Sequence, residues 1–248
     1  MIITKTRQEI EIMRQAGRLV AQVLTMLEKE AQPGVTTEYL DGLAEDGIRQ
    51  AGGEPAFKGY RGFPATICAS VNEQVVHGIP GERRLREGDL LSVDVGVKWK
   101  GFYGDAAATF AVGKVSPQAQ ELLTVGREAL NQGVSAVVSG GRISDIGHAI
   151  QSYVEGKGCS VVRDFVGHGI GSQMHESPHI PNFGAPGNGA RIQPGMTLAI
   201  EPMVNQGDYR VQVLDDGWTV VTQDRSLSVH FEHTVAVTDD GVLVLTKG

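Results

Sequence analysis

The chain has 248 residues, of which 41% are hydrophobic and 21% charged, with a formal net charge of −7. This is the composition of an ordinary globular protein, and its acidic balance argues against nucleic acid as the main ligand, because nucleic-acid-binding proteins usually carry a basic face. Two cysteines are too few for a disulfide framework, residues 1–18 lack the apolar segment of a signal peptide, and no apolar run is long enough to cross a membrane, so we expect a cytoplasmic protein.

The first half of the sequence predicts two helices followed by short strands. Apolar residues recur at helical spacing over Thr6–Glu30, and that helix ends at the breaker pair Pro33-Gly34. Thr36 is a candidate N-cap for a second helix, which ends at Gly52-Gly53. Strands are predicted at Thr66–Val71, Leu90–Val97 and Thr109–Val112.

The same order of elements returns in the second half. Helices are predicted at Pro117–Val138 and Ile143–Lys157. The strands predicted after them are Met196–Ile200, Tyr209–Leu214, Trp218–Val221, Thr234–Val237 and Val242–Leu245. Glu87–Asp94 also resembles Pro194–Glu201, each with a turn glycine, an apolar strand and a terminal carboxylate. Short matches also arise by chance, but the shared pattern favours one domain, 1–248, built from two similar halves of about 1–113 and 114–248.

Four acids interrupt or end strand-like runs, namely Asp94, Asp105, Glu201 and Glu232. In a hairpin, Asp94 and Asp105 could face each other across the ladder, where like charges repel unless a cation lies between them. Any one of the four could instead be a solvated or salt-bridged strand residue, because carboxylates are rarely buried unpaired. Four together, with few basic neighbours, favour a bound metal.

One histidine has an unusual setting. His168 lies in Phe165–Gly171, where three glycines flank the imidazole and leave it accessible. A lone histidine is more often an ordinary surface or core residue, so both interpretations stay open for His168. Carboxylates with one imidazole suit manganese, iron, cobalt or zinc better than a structural zinc site, which favours thiolates. The zinc-finger and zincin patterns CxxC and HExxH do not occur in the sequence.

Several motifs, in order along nearly the whole chain, resemble the type I methionine aminopeptidases. They are Asn72–Pro80, Asp94, Gly104-Asp105, Gly167–Gly171, Pro194–Met196, Ile200–Met203 and Phe231–Thr234. The resemblance implies an α+β pita-bread fold, in which a pseudo-two-fold, curved antiparallel sheet is flanked by helix pairs. It also implies a divalent-metal-dependent hydrolase that removes the initiator methionine from nascent polypeptide N-termini when the second residue is small.

The same resemblance implies roles for individual residues. The ligands of two divalent ions (cobalt, manganese, iron or zinc) would be Asp94, Asp105, His168, Glu201 and Glu232, with Asp105 and Glu232 bridging the ions. Such ions polarise the scissile carbonyl and activate the attacking water. Glu201 would then carry the proton to the departing amine, His175 would donate to the developing oxyanion, and His77 would contact the scissile amide nitrogen.

The resemblance also implies a methionine pocket. Its lining residues would be Phe57, Tyr60, Phe63, Cys68, Met174 and Trp218, with the substrate-contacting His77 and His175 beside them. Aromatic and thiol surfaces suit a thioether side chain. Tyr60, Phe63 and Trp218 could equally be ordinary core or loop aromatics. The chain departs from the family pattern at Met174, where an aromatic is expected, at Phe63, where tyrosine is common, and at Phe57, where a smaller residue is frequent.

Two rival functions are considered. A proline-specific aminopeptidase of the same fold usually carries an added N-terminal domain, for which 248 residues leave no room. A binding module that has lost its metals is disfavoured because all five ligand positions are intact. We expect a monomer whose partners are nascent N-termini, with no membrane and no stable nucleic acid. A transient contact with the ribosome is compatible with this function, although the acidic chain shows no obvious RNA-binding patch.

Overall fold

The computed structural model describes residues 2–247 and begins with a helix pair. Helix α1 spans Arg7–Glu30 and starts with a capping box, in which Thr6 accepts from the Glu9 N–H and the Glu9 carboxylate accepts from the Thr6 N–H. Helix α2 spans Thr37–Gln50, and the Thr36 hydroxyl accepts from the Tyr39 N–H, as an N-cap does. Both predicted helices are therefore confirmed to within a few residues.

The first sheet is built around one long strand. Its strands are β1 (Glu54–Pro55), β2 (Ile67–Val71), β4 (Leu90–Trp99) and β5 (Phe102–Ala111), while β3 (Gln74–Val76) joins a different sheet. Strand β4 pairs with β2 and β1 on one edge and with β5 on the other, always antiparallel.

The start predicted for β5, at Thr109, is wrong by seven positions. The strand begins at Phe102, directly after a two-residue turn in which Lys100 and Gly101 have φ values of 48° and 85°. Two left-handed residues in succession are typical of the tight turns that join hairpin strands. The sequence pattern missed the first part of β5 because Gly104–Ala108 consists of glycine, aspartate and alanine, which have low strand propensity.

The second half repeats the order of helices and strands. Helices α3 (Pro117–Ser135) and α4 (Ile143–Gly156) confirm the second predicted pair. The strands after them are β6 (Ser160–Val161), β7 (Gly167–Gly169), β8 (Glu176–Ile180), β9 (Thr197–Ile200), β10 (Met203–Asn205), β11 (Val211–Val213), β12 (Val220–Thr222), β13 (Ser228–His230), β14 (His233–Thr238) and β15 (Gly241–Val244). Those of two to five residues at 160, 167, 176, 203 and 228 were not predicted, since such short runs show no periodicity.

The two halves share an arrangement around their central strands. Strand β9 lies between β7 and β14, as β4 lies between β2 and β5, and all these pairs are antiparallel. The turns before β4 and β9 both contain a left-handed glycine, Gly88 with φ 92° and Gly195 with φ 88°. This parallel accords with the predicted division into two similar halves, which stays a prediction.

Each helix pair covers its own hydrophobic core. Helices α1 and α2 pack on a core that includes Ile67 and Val93 of the first sheet, whereas α3 and α4 pack on one that includes Leu198 and Val229. A third buried cluster, including Phe57 and Ile170, draws side chains from both halves. The acids and imidazoles described below lie against this third cluster. Among residues 2–247, no helix combines the length and apolarity needed to cross a membrane.

Candidate active site

Asp94 and Asp105 lie on neighbouring strands of the β4–β5 hairpin. The sequence allowed these two acids to face each other directly, but they do not. Asp94 pairs with Ala107, and Asp105 pairs with Gly96. The two acids therefore occupy diagonal positions, two residues apart in register, and their side chains lie on the same face. The two carboxyl groups lie close enough to interact directly, and their like charges repel unless a cation offsets them.

The other three predicted ligands come from the second half. Glu201 follows the end of β9, Glu232 lies between β13 and β14, and His168 is the middle residue of β7, paired with Ala199 of β9. The Glu232 N–H donates to the Ala107 carbonyl at 2.8 Å, which joins the two halves at the site. Acids that are far apart in the sequence are thereby brought together by paired strands.

The side chains of the five predicted ligands form one buried cluster. Nε2 of His168 lies 3.8 Å from Oδ2 of Asp105 and 3.6 Å from Oε1 of Glu201. Ligand atoms of Asp105, His168 and Glu232 all lie within 4.8 Å of one another. Nδ1 of His168 is 2.9 Å from the Gly169 carbonyl, so in the tautomer with the proton on Nδ1 the Nε2 lone pair points into the cluster.

The donor groups of the cluster fit a divalent cation. Within residues 2–247, three carboxylate oxygens are buried without a hydrogen-bond partner, namely Oδ1 of Asp94, Oδ1 of Asp105 and Oε1 of Glu232. Burial raises the pKa of Asp94 to about 6 and that of Glu201 to about 7. Burial and then the neighbouring carboxylates raise the pKa of Asp105 and Glu232 well above their usual values. Oxygen-rich donors with one imidazole fit divalent cations, which would offset this repulsion.

A cavity of about 140 Å³ adjoins the cluster. Its apolar wall is formed by Phe57, Phe63, Cys68 and Trp218, and the ring of Phe63 contacts that of Trp218 edge to face with centroids 5.1 Å apart. Burial raises the pKa of the Cys68 thiol well above its usual value, so Cys68 is a neutral wall residue and not a nucleophile. The cavity thus has an apolar wall on one side and the acid cluster on the other.

Met174 occupies a different place from the other predicted pocket residues. Its buried side chain belongs to the same apolar cluster, but Met174 is not among the residues that line the cavity. The position of a Cβ added at Gly96 would lie 3.0 Å from the Met174 methyl carbon and 2.5 Å from Cε1 of Phe57. Met174 therefore packs beside Phe57 near the Gly96 backbone and supports the wall from behind.

Two further imidazoles, His77 and His175, line the cavity on the side of the acids. Burial lowers the pKa of His77 to about 4 and that of His175 to about 3, so both rings are neutral near pH 7. The His175 ring stacks on that of Tyr60, and its Nδ1 is 2.9 Å from the Tyr60 hydroxyl. His175 also lies beside the acid cluster, since its ring centroid is 4.2 Å from that of His168.

The structure adds two residues that the sequence patterns did not single out. His230 is fully buried at the end of β13, and its Nε2 is 3.6 Å from Oε2 of Glu201. Arg61, with a left-handed φ of 51°, lines both the 140 Å³ cavity and an adjoining groove that opens beside Asp164 and His179. The only sequence signal for His230 is a polar residue in an apolar strand, two positions before Glu232. Arg61 gives no signal, because an arginine in a glycine-rich loop is usually a solvent-exposed surface residue.

Comparison with known proteins shows the family to which the chain belongs. Metallopeptidase family M24 matches residues 11–239. A methionine aminopeptidase of Clostridium acetobutylicum is 56% identical over 247 residues, covering 99% of each chain. The crystal structure of a methionine aminopeptidase from Thermotoga maritima superposes with a TM-score of 0.98 at 47% identity, and the match covers 100% of both chains.

A more distant structure shares the fold alone. The prolidase of Pyrococcus horikoshii superposes with a TM-score of 0.81 at 21% identity, over 99% of this chain and 63% of the prolidase. These neighbours confirm the predicted α+β architecture with its antiparallel sheets and flanking helix pairs. The chemistry of the site has to be argued from its residues, because this one fold carries more than one peptidase activity.

Proposed function

Because the chain belongs to metallopeptidase family M24, and within it to the methionine aminopeptidases, we propose that it removes the N-terminal initiator methionine from nascent proteins and peptides whose second residue is small. One observation carries this proposal: a small cavity with a wall of Phe57, Phe63, Cys68 and Trp218 borders the buried acid cluster directly. A thioether side chain fits aromatic and thiol surfaces, and a buried cavity of this size admits a single residue.

In this proposal the acid cluster would hold two divalent cations. The residues that would hold them are Asp94, Asp105, His168, Glu201 and Glu232. Ligand atoms of Asp105, His168 and Glu232 already lie within 4.8 Å of one another, and Asp94, Asp105 and Glu232 each have a buried oxygen without a hydrogen-bond partner within residues 2–247. When bound, such cations polarise the scissile carbonyl and lower the pKa of the attacking water. Cobalt, manganese, iron and zinc all accept a set of carboxylates with one imidazole, and metal supply in the cell selects among them.

Glu201 is the proton carrier in this proposal. Its side chain is only 14% exposed, and with cations bound its carboxylate would be ionised and able to accept a proton. It accepts a proton from the attacking water and delivers it to the departing amine. His168 and His230 each place Nε2 3.6 Å from one of its two oxygens and so restrict the position of the carboxylate.

His175 and His77 act on the scissile amide. His175 is neutral, and a Tyr60 hydroxyl that donates to its Nδ1 selects the tautomer with a proton on Nε2, which then donates to the developing oxyanion. His77 contacts the amide nitrogen from the other side and is held by the edges of Phe165 and Trp218, with centroid distances of 5.5 and 6.3 Å. Two rigid imidazoles beside the cleaved bond leave little space for a bulky second residue.

The wider setting follows from the reaction. One chain supplies every proposed ligand and pocket residue, so a monomer suffices for the reaction. The chain is proposed to form one domain of two similar halves, about 1–113 and 114–248. Nascent N-termini are met where proteins are made, which places the enzyme in the cytoplasm and allows a transient contact with the ribosome. No stable nucleic-acid or membrane partner is proposed.

Release of free methionine tests the function. Metal-stripped protein is assayed on Met-Ala-Ser, Met-Leu-Ser and Ala-Pro-Ser before and after addition of Mn²⁺, Co²⁺, Fe²⁺ or Zn²⁺. We expect metal-dependent cleavage of Met-Ala-Ser and at least about tenfold slower cleavage of Met-Leu-Ser, and we expect Glu201→Ala to abolish turnover. Cleavage only of the prolyl peptide would support the proline-specific alternative, and no cleavage with any metal would support the binding module.

A further inference from the structure

The N-terminal segment reaches the active-site loop through a buried ion pair. Nζ of Lys5 is 2.5 Å from Oε2 of Glu176, and both side chains are only 3% exposed. Among the ion pairs that lysine and arginine form within residues 2–247, this is the only one with both side chains buried. The pair links positions far apart in sequence, and Glu176 is the direct neighbour of His175.

Stability alone does not explain this pair. Taking two charges out of water is costly, and replacing a buried ion pair by apolar residues of similar volume is often neutral or stabilising. A pair of this kind therefore calls for a role that an apolar contact could not fill. Directional hydrogen bonds that fix a loop are such a role.

The hydrogen bonds of the pair lie on the loop that carries His175. The second carboxylate oxygen of Glu176, Oε1, accepts from the Gln173 N–H at 3.1 Å, so one carboxylate joins two points of the Gly171–Glu176 loop. Lys5 packs against Gly171 so closely that a Cβ added there would overlap Cε of Lys5. The loop is thus held from one side by a residue of the N-terminal segment.

Lys5 is itself firmly anchored. Its N–H donates to the Gly195 carbonyl at 2.7 Å, and Nζ also donates to the Ile3 carbonyl at 2.8 Å. Gly195 lies in the turn before β9, and Glu201 directly follows the last residue of that strand. Lys5 therefore connects the loop of His175 to the strand that carries the proposed proton carrier.

We propose that Lys5 is a positioning residue for methionine removal, and that it acts through Glu176 to hold His175 against Tyr60 and the scissile amide. This inference rests on the proposed function of His175. Lys5 touches neither substrate nor metal ligands, so its loss displaces the oxyanion donor and leaves the methionine cavity intact. A displacement of about 1 Å at a catalytic group can reduce turnover by about a hundredfold.

The test compares Lys5→Met with a matched control on the same segment. Arg7 forms an exposed pair with Asp239, with side chains 90% and 69% exposed, so Arg7→Met removes an ion pair that holds no loop. For Lys5→Met we expect kcat on Met-Ala-Ser to fall at least about tenfold with KM within about threefold, the pattern of an interaction made mainly in the transition state. For Arg7→Met we expect both constants within about twofold.

A double-mutant cycle separates positioning from general damage. In a His175→Ala background, we expect Lys5→Met to lower kcat by less than about twofold, because both changes remove the same interaction. NMR of zinc-loaded protein with isotope-labelled histidine gives a second readout, in which the ring resonances of His175 are assigned by their loss in His175→Ala. We expect these resonances to shift in Lys5→Met and to stay in place in Arg7→Met. Unchanged kcat in Lys5→Met, or an equal loss of kcat with and without His175, overturns the inference.

Two further controls keep the test decisive. Lys5→Met leaves the Glu176 charge buried and unpaired, which could prevent folding. In that case the double variant Lys5→Met/Glu176→Gln, which removes both charges, takes the place of Lys5→Met in every comparison. A wild-type protein that releases no methionine overturns the proposed function instead. In that case the His175 resonances alone decide whether Lys5 positions this ring.

Discussion

The hydroxyl group of Thr234 binds both backbone polar groups of Asp105, accepting from its N–H at 3.2 Å and donating to its carbonyl at 2.7 Å. Two residues away on each strand, the Glu232 N–H donates to the Ala107 carbonyl at 2.8 Å. These bonds join β5 to β14 and to the residues just before β14, so they connect the two halves of the chain. The distance between Asp105 and Glu232 therefore depends on a side chain that is not itself a ligand.

Thr234→Val should weaken metal binding while leaving all five ligands in place. Valine has nearly the shape of threonine but cannot bind the Asp105 backbone, and loss of a group that orients a ligand typically costs 10- to 100-fold in metal affinity. We expect a loss of about tenfold for Mn²⁺, measured by calorimetric titration of the stripped protein. Thr234→Ser keeps the hydroxyl and should bind within about threefold of wild type, and equal affinities of the valine and wild-type proteins would contradict this view.

The metal-free protein should lose stability as the pH rises through neutrality. Folding raises the pKa of Glu201 to about 7 from 4.5, so the folded state binds more protons than the unfolded state between these values. The free energy of unfolding therefore falls as the pH increases through about 7. Asp94, with a pKa of about 6, has the same effect at slightly lower pH. The pKa values of His77 and His175 are lowered on folding from 6.5, so these groups make the free energy of unfolding rise with pH, but mainly below pH 6.5.

The useful window for this measurement is therefore pH 6.5 to 7.5, around the raised pKa of Glu201. Urea unfolding of stripped protein should show a decline across the window, and Glu201→Gln, which cannot ionise, should show a shallower one. Metal-loaded wild-type protein should show no such decline, because cations that bind the folded state stabilise it and hold the carboxylates ionised. The same slope in the stripped wild-type and Glu201→Gln proteins would count against a raised pKa at Glu201.

Tyr60→Phe should slow turnover without moving the acid limb of the pH profile. The Tyr60 hydroxyl lies 2.9 Å from Nδ1 of His175, and losing it lets the neutral ring adopt either tautomer. We expect kcat to fall by about three- to tenfold for this reason. The pKa of His175 is already lowered to about 3 by burial, so its protonation cannot produce a limb above pH 5. A plot of log kcat/KM from pH 5.5 to 9 tests both statements, and a shifted acid limb would contradict them.

Much of this site was predictable because its residues break local patterns. Asp94 and Glu201 stand at corresponding places in two similar strand sequences, and His168 is flanked by glycines, so each is visible without a structure. The length of β5 was not predictable, since Gly104–Ala108 becomes a strand only by pairing with β4. Lys5 and Thr234 gave no signal either, because their importance comes from partners more than a hundred positions away.

Phe57 and Met174 should differ in their effect on substrate choice, since the structure places only Phe57 on the cavity wall. Phe57→Ala enlarges the cavity and should admit longer side chains. The ratio of kcat/KM for Met-Ala-Ser to that for the ethionine analogue should fall by about tenfold, because one methylene in an apolar pocket is worth roughly 10- to 200-fold. Met174→Leu conserves volume behind the wall, so the ratio should stay within about twofold of wild type. A change in the ratio for Met174→Leu as large as that for Phe57→Ala would place Met174 in direct contact with the substrate, since a residue that only supports Phe57 transmits little of a volume-conserving change.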